Sequence, residues 1–200
     1  LRLSVFQRAF IIAIFDNPHG TRKAILSVAR RNGKTAIVGV ILLAFLVGPL
    51  AVKNSQLASA AMSRDQAALV FRLMVKMLMQ SPELEGTYRI VPSSKRIIGI
   101  AKNVEFEAMS SDSKTGHGRS LLVVILDEAG QIVGPHNEFV AMLQSSQGSY
   151  ENALFLTIST QAPSDADLLS IWIDDAMRSG EPSIVCHVYE AAPGCALTDK

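Results

Sequence analysis

Two short segments hold the residues of this chain that are best suited to chemistry. Residues 27–35 read Ser-Val-Ala-Arg-Arg-Asn-Gly-Lys-Thr at the end of an apolar stretch, and residues 121–128 are an apolar stretch that ends in two acids. Backbone N–H groups at a helix N-terminus, together with a lysine and a hydroxyl, can bind phosphate oxygens. A pair of carboxylates can hold a divalent cation and orient a water molecule. The two segments together therefore predict a site for ATP and Mg²⁺.

The glycine, lysine and threonine that close the first segment each have a role in phosphate binding. Gly33 lets the backbone approach the phosphates, Lys34 neutralises the β- and γ-phosphates, and Thr35 offers its hydroxyl to magnesium. The usual pattern is G-x-x-x-x-G-K-[ST], and Val28 stands where its first glycine belongs, so the strict motif is absent. Taken alone, this segment is equally compatible with a helix that begins beside a surface lysine.

The second segment favours the nucleotide site. Asp127 ends an apolar strand, at the edge where ligands of open α/β sheets bind, and is the predicted magnesium ligand. Glu128 follows directly and is the predicted base that polarises the attacking water. An acidic helix N-terminus is the alternative, because the helix dipole favours an acid there. That alternative does not explain an acid pair beyond a buried strand and downstream of Gly-Lys-Thr.

A third polar segment follows the next predicted strand. Ser159, Thr160 and Gln161 supply two hydroxyls and an amide that can sense the γ-phosphate and relay its loss. An ordinary strand-to-helix turn with a helix cap is the alternative interpretation. The order of the three segments along the chain favours the coupling role.

Hydrophobic periodicity predicts the elements that must hold these segments together. The predicted helices are 3–15, 33–47, 64–80, 137–144 and 166–177, and the predicted strands are 23–29, 56–61, 87–91, 96–101, 104–109, 121–126, 153–159 and 184–189. Strands alternate with helices through most of the chain, which is typical of a mainly parallel sheet with helices on both faces. The sequence therefore predicts an α/β fold of the P-loop NTPase class, of the kind with an additional strand and a catalytic glutamate (ASCE).

Composition limits the other classes of function. The chain has 200 residues and a net charge of +1, so nucleic-acid binding would need a local basic patch. Its two cysteines, Cys186 and Cys195, do not make a disulfide framework and fit a reducing compartment. Residues 36–52 carry no charge, which raises the alternative of a membrane span. Their shortness and the Gly48-Pro49 interruption favour a buried helix instead.

In their order and residue types these segments resemble the ATPase domain of the large terminase subunit of tailed bacteriophages, the motor that packages DNA. That family has a deviant phosphate loop, S-R-x-x-G-K-[ST], which is similar to residues 29–35 with alanine in the serine position. Its second motif ends in Asp-Glu-Ala, as residues 127–129 do, and its coupling motif resembles residues 159–161. The resemblance runs from Gln7 to about Tyr189, and it implies one motor domain over residues 1–200.

The resemblance also implies roles that spacing alone does not assign. Gln7 matches the family's adenine-reading glutamine, with an ordinary glutamine of an N-terminal helix as the alternative. Arg30 matches the family's loop arginine, which contacts the γ-phosphate, with a solvated arginine as the alternative. Arg31 and Asn32 fall within the nucleotide-binding loop by the same comparison.

The trans-acting arginine of the motor is harder to place. Many members carry an arginine just before a glycine upstream of the second motif. Here that glycine is Gly118, and it is preceded by His117 and followed by Arg119. Arg119 is therefore the candidate arginine finger, with an ordinary loop arginine as the alternative.

The remaining expectations about partners also come from the resemblance. It implies sequence-independent contacts with the backbone of double-stranded DNA, for which Lys95 and Arg96 are suited, although surface solubility explains them equally well. It implies a homo-oligomeric ring, with a monomer as the alternative in isolation, and a portal protein and a small terminase subunit as partners. The motor would act in the host bacterial cytoplasm, without membrane contact, and be absent from the mature virion.

Two further points limit this interpretation. The family's C-terminal nuclease domain is not recognisable, because the acids near the chain end lie in or beside one predicted helix and are expected to form its capped, solvated face: Asp165, Asp167, Asp174 and Asp175. The alternative functions are another nucleic-acid-dependent P-loop ATPase, such as a helicase or translocase, and a nucleotide-binding interaction module without turnover.

Overall fold

The structure is a computed structural model, and it describes residues 3–112 and 118–189. Its helices are α1 (Val5–Phe15), α2 (Lys34–Leu46), α3 (Arg64–Met79), α4 (Glu138–Ser145) and α5 (Leu168–Ser179). Its strands are β1 (Lys23–Val28), β2 (Gln56–Ala61), β3 (Tyr88–Val91), β4 (Arg96–Gly99), β5 (Val104–Ser110), β6 (Leu121–Asp127), β7 (Leu154–Ser159) and β8 (Ile184–Tyr189). Short 3₁₀ turns lie at Pro82–Leu84, Pro92–Ser94 and Ala129–Gln131.

The strands form one sheet in the order β3-β4-β5-β2-β6-β7-β1-β8. All neighbours from β5 to β8 are parallel, and β4 pairs antiparallel with both β3 and β5. The predicted hairpin is therefore part of the central sheet, which the sequence pattern did not indicate. Strand β7 lies between β1 and β6, so one additional strand separates the two strands that lead to the phosphate loop and the acid pair. The predicted α/β fold with a mainly parallel sheet is confirmed.

Helices cover both faces of the sheet, as expected from strands that are buried on both sides. The larger core joins one face to α1, α2 and α3, and a second core joins the other face to α4 and α5. Helix α2 is apolar on nearly every side because it lies between the sheet and α3, and its Val38, Leu42 and Leu46 side chains are almost fully buried. In the described part of the chain, no helix is both long and apolar enough to cross a bilayer.

Aromatic contacts fix α1 against the edge strand β8. The ring of Phe10 meets that of His187 edge-on, with centroids 5.4 Å apart, and Phe6 lies 5.3 Å from Tyr189. Such pairs contribute about 0.5–1.5 kcal/mol beyond the area they bury. Because Gln7 follows Phe6 on the same helix, this packing sets where its side chain can reach.

The expectation that Asp167 belongs to a solvated face is wrong. Asp167 precedes α5, which begins at Leu168, and it is only 5% exposed. Its Oδ1 accepts a hydrogen bond from the backbone N–H of Gly134 at 2.8 Å. Asp165 and the α5 acids Asp174 and Asp175 are exposed, as expected for a solvated face. Hydrophobic periodicity grouped Asp167 with the neighbouring acids. A sequence pattern cannot reveal that the backbone N–H of Gly134 approaches Asp167 from another loop.

Candidate active site

The three polar segments meet at the carboxyl edge of the sheet. In the parallel register Ser27 of β1 is level with Ser159 of β7, and Ile158 of β7 is level with Asp127 of β6. The phosphate loop, the coupling segment and the acid pair therefore leave three adjacent strands at the same height. Ligands of open α/β sheets bind at this edge.

The phosphate loop is shaped by two residues in the left-handed backbone region. Arg31 has φ 66° and Gly33 has φ 71°. Alternation of this kind makes a concave row of N–H groups that suits an anion. The Asn32 side chain closes the loop, since its Nδ2 donates to the carbonyl oxygens of Ala29 at 3.1 Å and Arg30 at 3.4 Å.

Lys34 is held inside this loop. Its Nζ donates to the carbonyl oxygen of Val28 at 2.8 Å and to that of Ala29 at 3.4 Å, and the residue is 6% exposed. Burial lowers the pKa of the Lys34 ammonium, and the charges of Glu128 and Asp127 partly oppose that effect. A buried cation whose bonded partners are neutral carbonyls is stabilised by an incoming anion. The loop therefore fits a phosphate.

Asp127 forms the other wall of the site. It is 5% exposed at the end of β6, and burial, followed by the charge of Glu128, raises its pKa from 3.8 to about 6. The backbone N–H of Glu128 and the charge of Lys34 act in the opposite direction. Two adjacent carboxyl groups, one of them desolvated, offer oxygen ligands to a hard cation, and the half-buried Thr35 adds a hydroxyl from the first turn of α2. These residues fit Mg²⁺.

Glu128 is presented by a strained turn. Its φ is 54°, and its backbone N–H donates to the carbonyl oxygen of Ile158 at 2.9 Å. The left-handed region costs a non-glycine residue about 1–2 kcal/mol. Here it turns the chain sharply after β6 and leaves the Glu128 carboxylate half-buried at the sheet edge.

The coupling segment touches this turn directly. The Thr160 hydroxyl donates to Glu128 Oε2 at 3.4 Å, and Ser159 Oγ accepts from the backbone N–H of Gly130 at 2.7 Å. Gln161 is exposed beyond them. Two of the three residues of the segment thus contact the acid turn.

Gly130 is a residue of the site that the sequence did not single out. A Cβ at this position would lie 2.6 Å from the Thr160 carbonyl oxygen, 2.9 Å from Ser159 Oγ and 3.1 Å from the Gln161 carbonyl oxygen. The close packing of the two loops therefore requires glycine. The only available signal was a glycine two residues after the acid pair, and this does not distinguish packing from an ordinary turn.

Gln7 reaches the phosphate loop from α1. Its Nε2 donates to the Asn32 carbonyl oxygen at 3.1 Å, and its Oε1 accepts from the Ser4 backbone N–H at 2.9 Å. A Cβ on Gly33 would lie only 2.9 Å from Gln7 Nε2. The structure therefore brings Gln7 to the loop, and adenine recognition by its amide remains a prediction.

Arg119 is not brought together with the other candidates. It precedes β6 at the amino edge of the sheet, and its Nη1 pairs with Glu107 Oε2 of β5 at 2.6 Å. Arg30 is exposed on the phosphate loop. His117, which takes the usual place of the family's arginine, lies outside the described residues.

Comparisons with known proteins agree with this geometry. Residues 6–170 match the family model described as "Terminase large subunit, ATPase domain". The chain is 56% identical over its whole length to the terminase large subunit of Enterobacteria phage HK97, and it spans 40% of that relative. It also matches the crystal structure of the HK97 bacteriophage large terminase, with a TM-score of 0.94 and 53% identity, over 100% of this chain and 42% of that one.

More distant structures share the fold alone. An ATPase-domain variant of the Thermus phage P74-26 large terminase has a TM-score of 0.73 at 18% identity, and covers 94% of this chain and 81% of its own. The large terminase of a thermophilic bacteriophage, solved in complex with ADP, has a TM-score of 0.69 at 13% identity over 94% of this chain and 45% of its own.

Proposed function

This chain belongs to the family of terminase large subunit ATPase domains, and we propose that it hydrolyses ATP to drive double-stranded viral DNA into a preformed capsid. The observation that carries this proposal is the meeting of Lys34, Asp127 and Glu128 at one edge of the sheet, with the coupling strand β7 between the strands that position them. The chain spans about two fifths of its HK97 relative, so the motor function of the whole protein is part of the proposal.

ATP binding is assigned to the phosphate loop and α1. The N–H groups of residues 31–35 would cradle the phosphates at the start of α2, where the helix dipole favours negative charge. Lys34 would move from the loop carbonyls to a phosphate oxygen, and the exposed Arg30 would contact the γ-phosphate. Gln7 would read the adenine while it holds the loop through Asn32. The ADP bound by the distant thermophilic-phage terminase supports nucleotide binding on this fold.

Hydrolysis is assigned to the acid pair. Thr35 and Asp127 would hold Mg²⁺, which supplies neutralisation of the charge that develops on the β- and γ-phosphate oxygens. Glu128 would orient a water molecule and accept its proton as the water oxygen bonds to the γ-phosphorus and the bond to ADP breaks. Its contact with the Thr160 hydroxyl would restrict the position of the carboxylate.

Coupling to movement is assigned to Ser159, Thr160 and Gln161. The first two contact the acid turn, so a displacement of Glu128 on phosphate release would be transmitted to β7 and the loop that follows it. The hydrogen bonds of Ser159 to Gly130 and of Thr160 to Glu128 join the coupling segment to the acid turn. A movement of one of these segments therefore changes the position of the other.

The family membership supports the partners that we propose. We assign the DNA contacts to backbone phosphates, and expect a homo-oligomeric ring that engages a portal protein and a small terminase subunit in the host bacterial cytoplasm, without membrane contact and without a place in the mature virion. In such a ring Arg119 would leave Glu107 and act in trans on the neighbouring ATP. Mixing Arg119→Ala with Lys34→Ala tests this role, because activity returns in the mixture only if the arginine acts on another subunit.

The first test of the proposed function is ATP hydrolysis with and without linear double-stranded DNA. We expect Mg²⁺-dependent phosphate release that DNA accelerates and that Lys34→Ala abolishes. Lys53→Ala is the matched control, since Lys53 is an exposed lysine just before β2 at the opposite edge of the sheet. Equal hydrolysis in the Lys34 variant would contradict the assignment of the site.

A further inference from the structure

A cleft lies at the same edge of the sheet as the ATP site but two strands away from it. It has a volume of about 260 Å³ and opens between the start of α3 and the turn of the β3–β4 hairpin. Its lining includes Arg64, Ala67, Ser93, Ser94, Lys95 and Glu107. Resting on the proposed function, we propose that this cleft binds backbone phosphates of double-stranded DNA.

The uncompensated charge of the cleft is positive. Glu107 is the acid in its lining, and the guanidinium of Arg119 pairs with it at 2.6 Å. Arg64 is exposed and half-buried Lys95 completes the basic pair. Asp65, in the first turn of α3, does not line the cleft. Among the described residues of the lining, and while Arg119 is paired with Glu107, an anion that enters therefore meets two cations and no unpaired carboxylate.

The donors of the cleft are held in place. Lys95 Nζ donates to the Arg64 carbonyl oxygen at 3.3 Å, which uses one of its three N–H groups and leaves two for a ligand. The backbone of Lys95 is fixed on both sides, since its N–H donates to Pro92 and its carbonyl oxygen accepts from the N–H of Ala108. Charged groups that are already positioned lose less entropy when they bind.

The chemistry of the lining suits a phosphodiester. An ammonium, a guanidinium and two exposed serine hydroxyls are donors that contact phosphate oxygens and carry no base specificity. At about 30 Å³ per water, the cleft has room for a phosphate group together with several waters. Such contacts suit a protein that must hold DNA of any sequence.

The cleft is also close to the catalytic turn. Gln66, two residues after Arg64, donates from Nε2 to Gln131 Oε1 at 3.0 Å. Gln131 ends the short turn that begins directly after Glu128. A single side-chain hydrogen bond therefore joins the helix that lines the cleft to the turn that presents the catalytic acid.

The test is the salt dependence of DNA affinity. The logarithm of the binding constant for linear double-stranded DNA falls with the logarithm of salt concentration, with a slope set by the number of phosphates contacted. We expect Lys95→Met to make this slope shallower by about 1, and Arg64→Met combined with Lys95→Met by about 2, for any DNA sequence. Lys95→Arg should restore the wild-type slope.

Lys53→Met is the matched control, because it removes the same charge at the opposite edge of the sheet. A wild-type slope in Lys95→Met, or an equal change in Lys53→Met, would overturn the proposal. Mg²⁺-dependent ATP binding by the wild-type chain without DNA tests the proposed function separately. ATP binding together with unchanged slopes overturns the cleft alone, whereas a shallower Lys95→Met slope without any ATP binding supports the cleft and overturns the proposed function.

Discussion

Gly130→Ala is the substitution whose effect the structure predicts most sharply. The new methyl group would lie 2.6 Å from one backbone oxygen and 2.9 Å from Ser159 Oγ, so the turn after Glu128 must move away from β7. Overpacking of this kind costs about 1–3 kcal/mol. Loss of the 2.7 Å bond from the Gly130 N–H to Ser159 adds about 1 kcal/mol. We therefore expect the free energy of unfolding to fall by about 2–4 kcal/mol.

The same movement displaces the Glu128 carboxylate, and a misplacement of about 1 Å at a reacting group lowers turnover about 100-fold. Urea denaturation and steady-state phosphate release measure the two effects. Gly148→Ala is the control, since its Cβ would meet only Ser145 O, at an ordinary 3.6 Å, and the stability should change by less than about 1 kcal/mol. The reasoning is refuted if Gly130→Ala matches Gly148→Ala in stability and the wild type in turnover.

Three further substitutions test separate parts of the account. Asp127→Asn should raise the free energy of unfolding at pH 7 by about 2–3 kcal/mol, because the folded-state pKa near 6 lies above the usual 3.8 and ionised Asp127 destabilises the fold above pH 6. Urea denaturation should show this gain fade as the pH falls from 6 toward 4, and a gain that is independent of pH would point to another cause. Gln7→Ala should raise the KM for ATP about 3- to 10-fold with a smaller effect on kcat, because it removes a bond worth about 1 kcal/mol to the phosphate loop; an unchanged KM would exclude that role. Gln66→Leu should reduce the acceleration of hydrolysis by DNA while the salt slope of DNA binding stays at the wild-type value, and full acceleration would show that its bond to Gln131 carries no signal.

The layout of the fold was predictable because its central strands, above all β6, are almost entirely apolar and buried. Strand β6 begins at the residue expected from hydrophobicity alone, and α2 begins directly after Gly33 as the motif requires. The positions of Lys34 and Asp127 at one edge also follow from the sequence, since carboxyl ends of parallel strands meet there. Local pattern was sufficient for these features because burial and strand direction determine them.

The contacts that loops make with other elements were not predictable. Three such contacts are the hydrogen bond that the Gly130 N–H donates to Ser159 Oγ, the ion pair of Arg119 with Glu107, and the hydrogen bond that the buried Asp167 accepts from the Gly134 N–H. Each depends on how a loop approaches a neighbouring strand or loop after the sheet has formed. Periodicity describes one element at a time, so it gives no information about them.

The most direct measurement of the central claim is nucleotide binding and hydrolysis by Glu128→Gln in the presence of Mg²⁺ and double-stranded DNA. The variant keeps the size of the side chain and one acceptor oxygen, which can still accept from Thr160, while it removes the base. We predict wild-type ATP affinity and a 10²- to 10⁴-fold loss of turnover, the range typical of a general base. Turnover at the wild-type rate would contradict the assignment of Glu128, and with it the hydrolysis site described above.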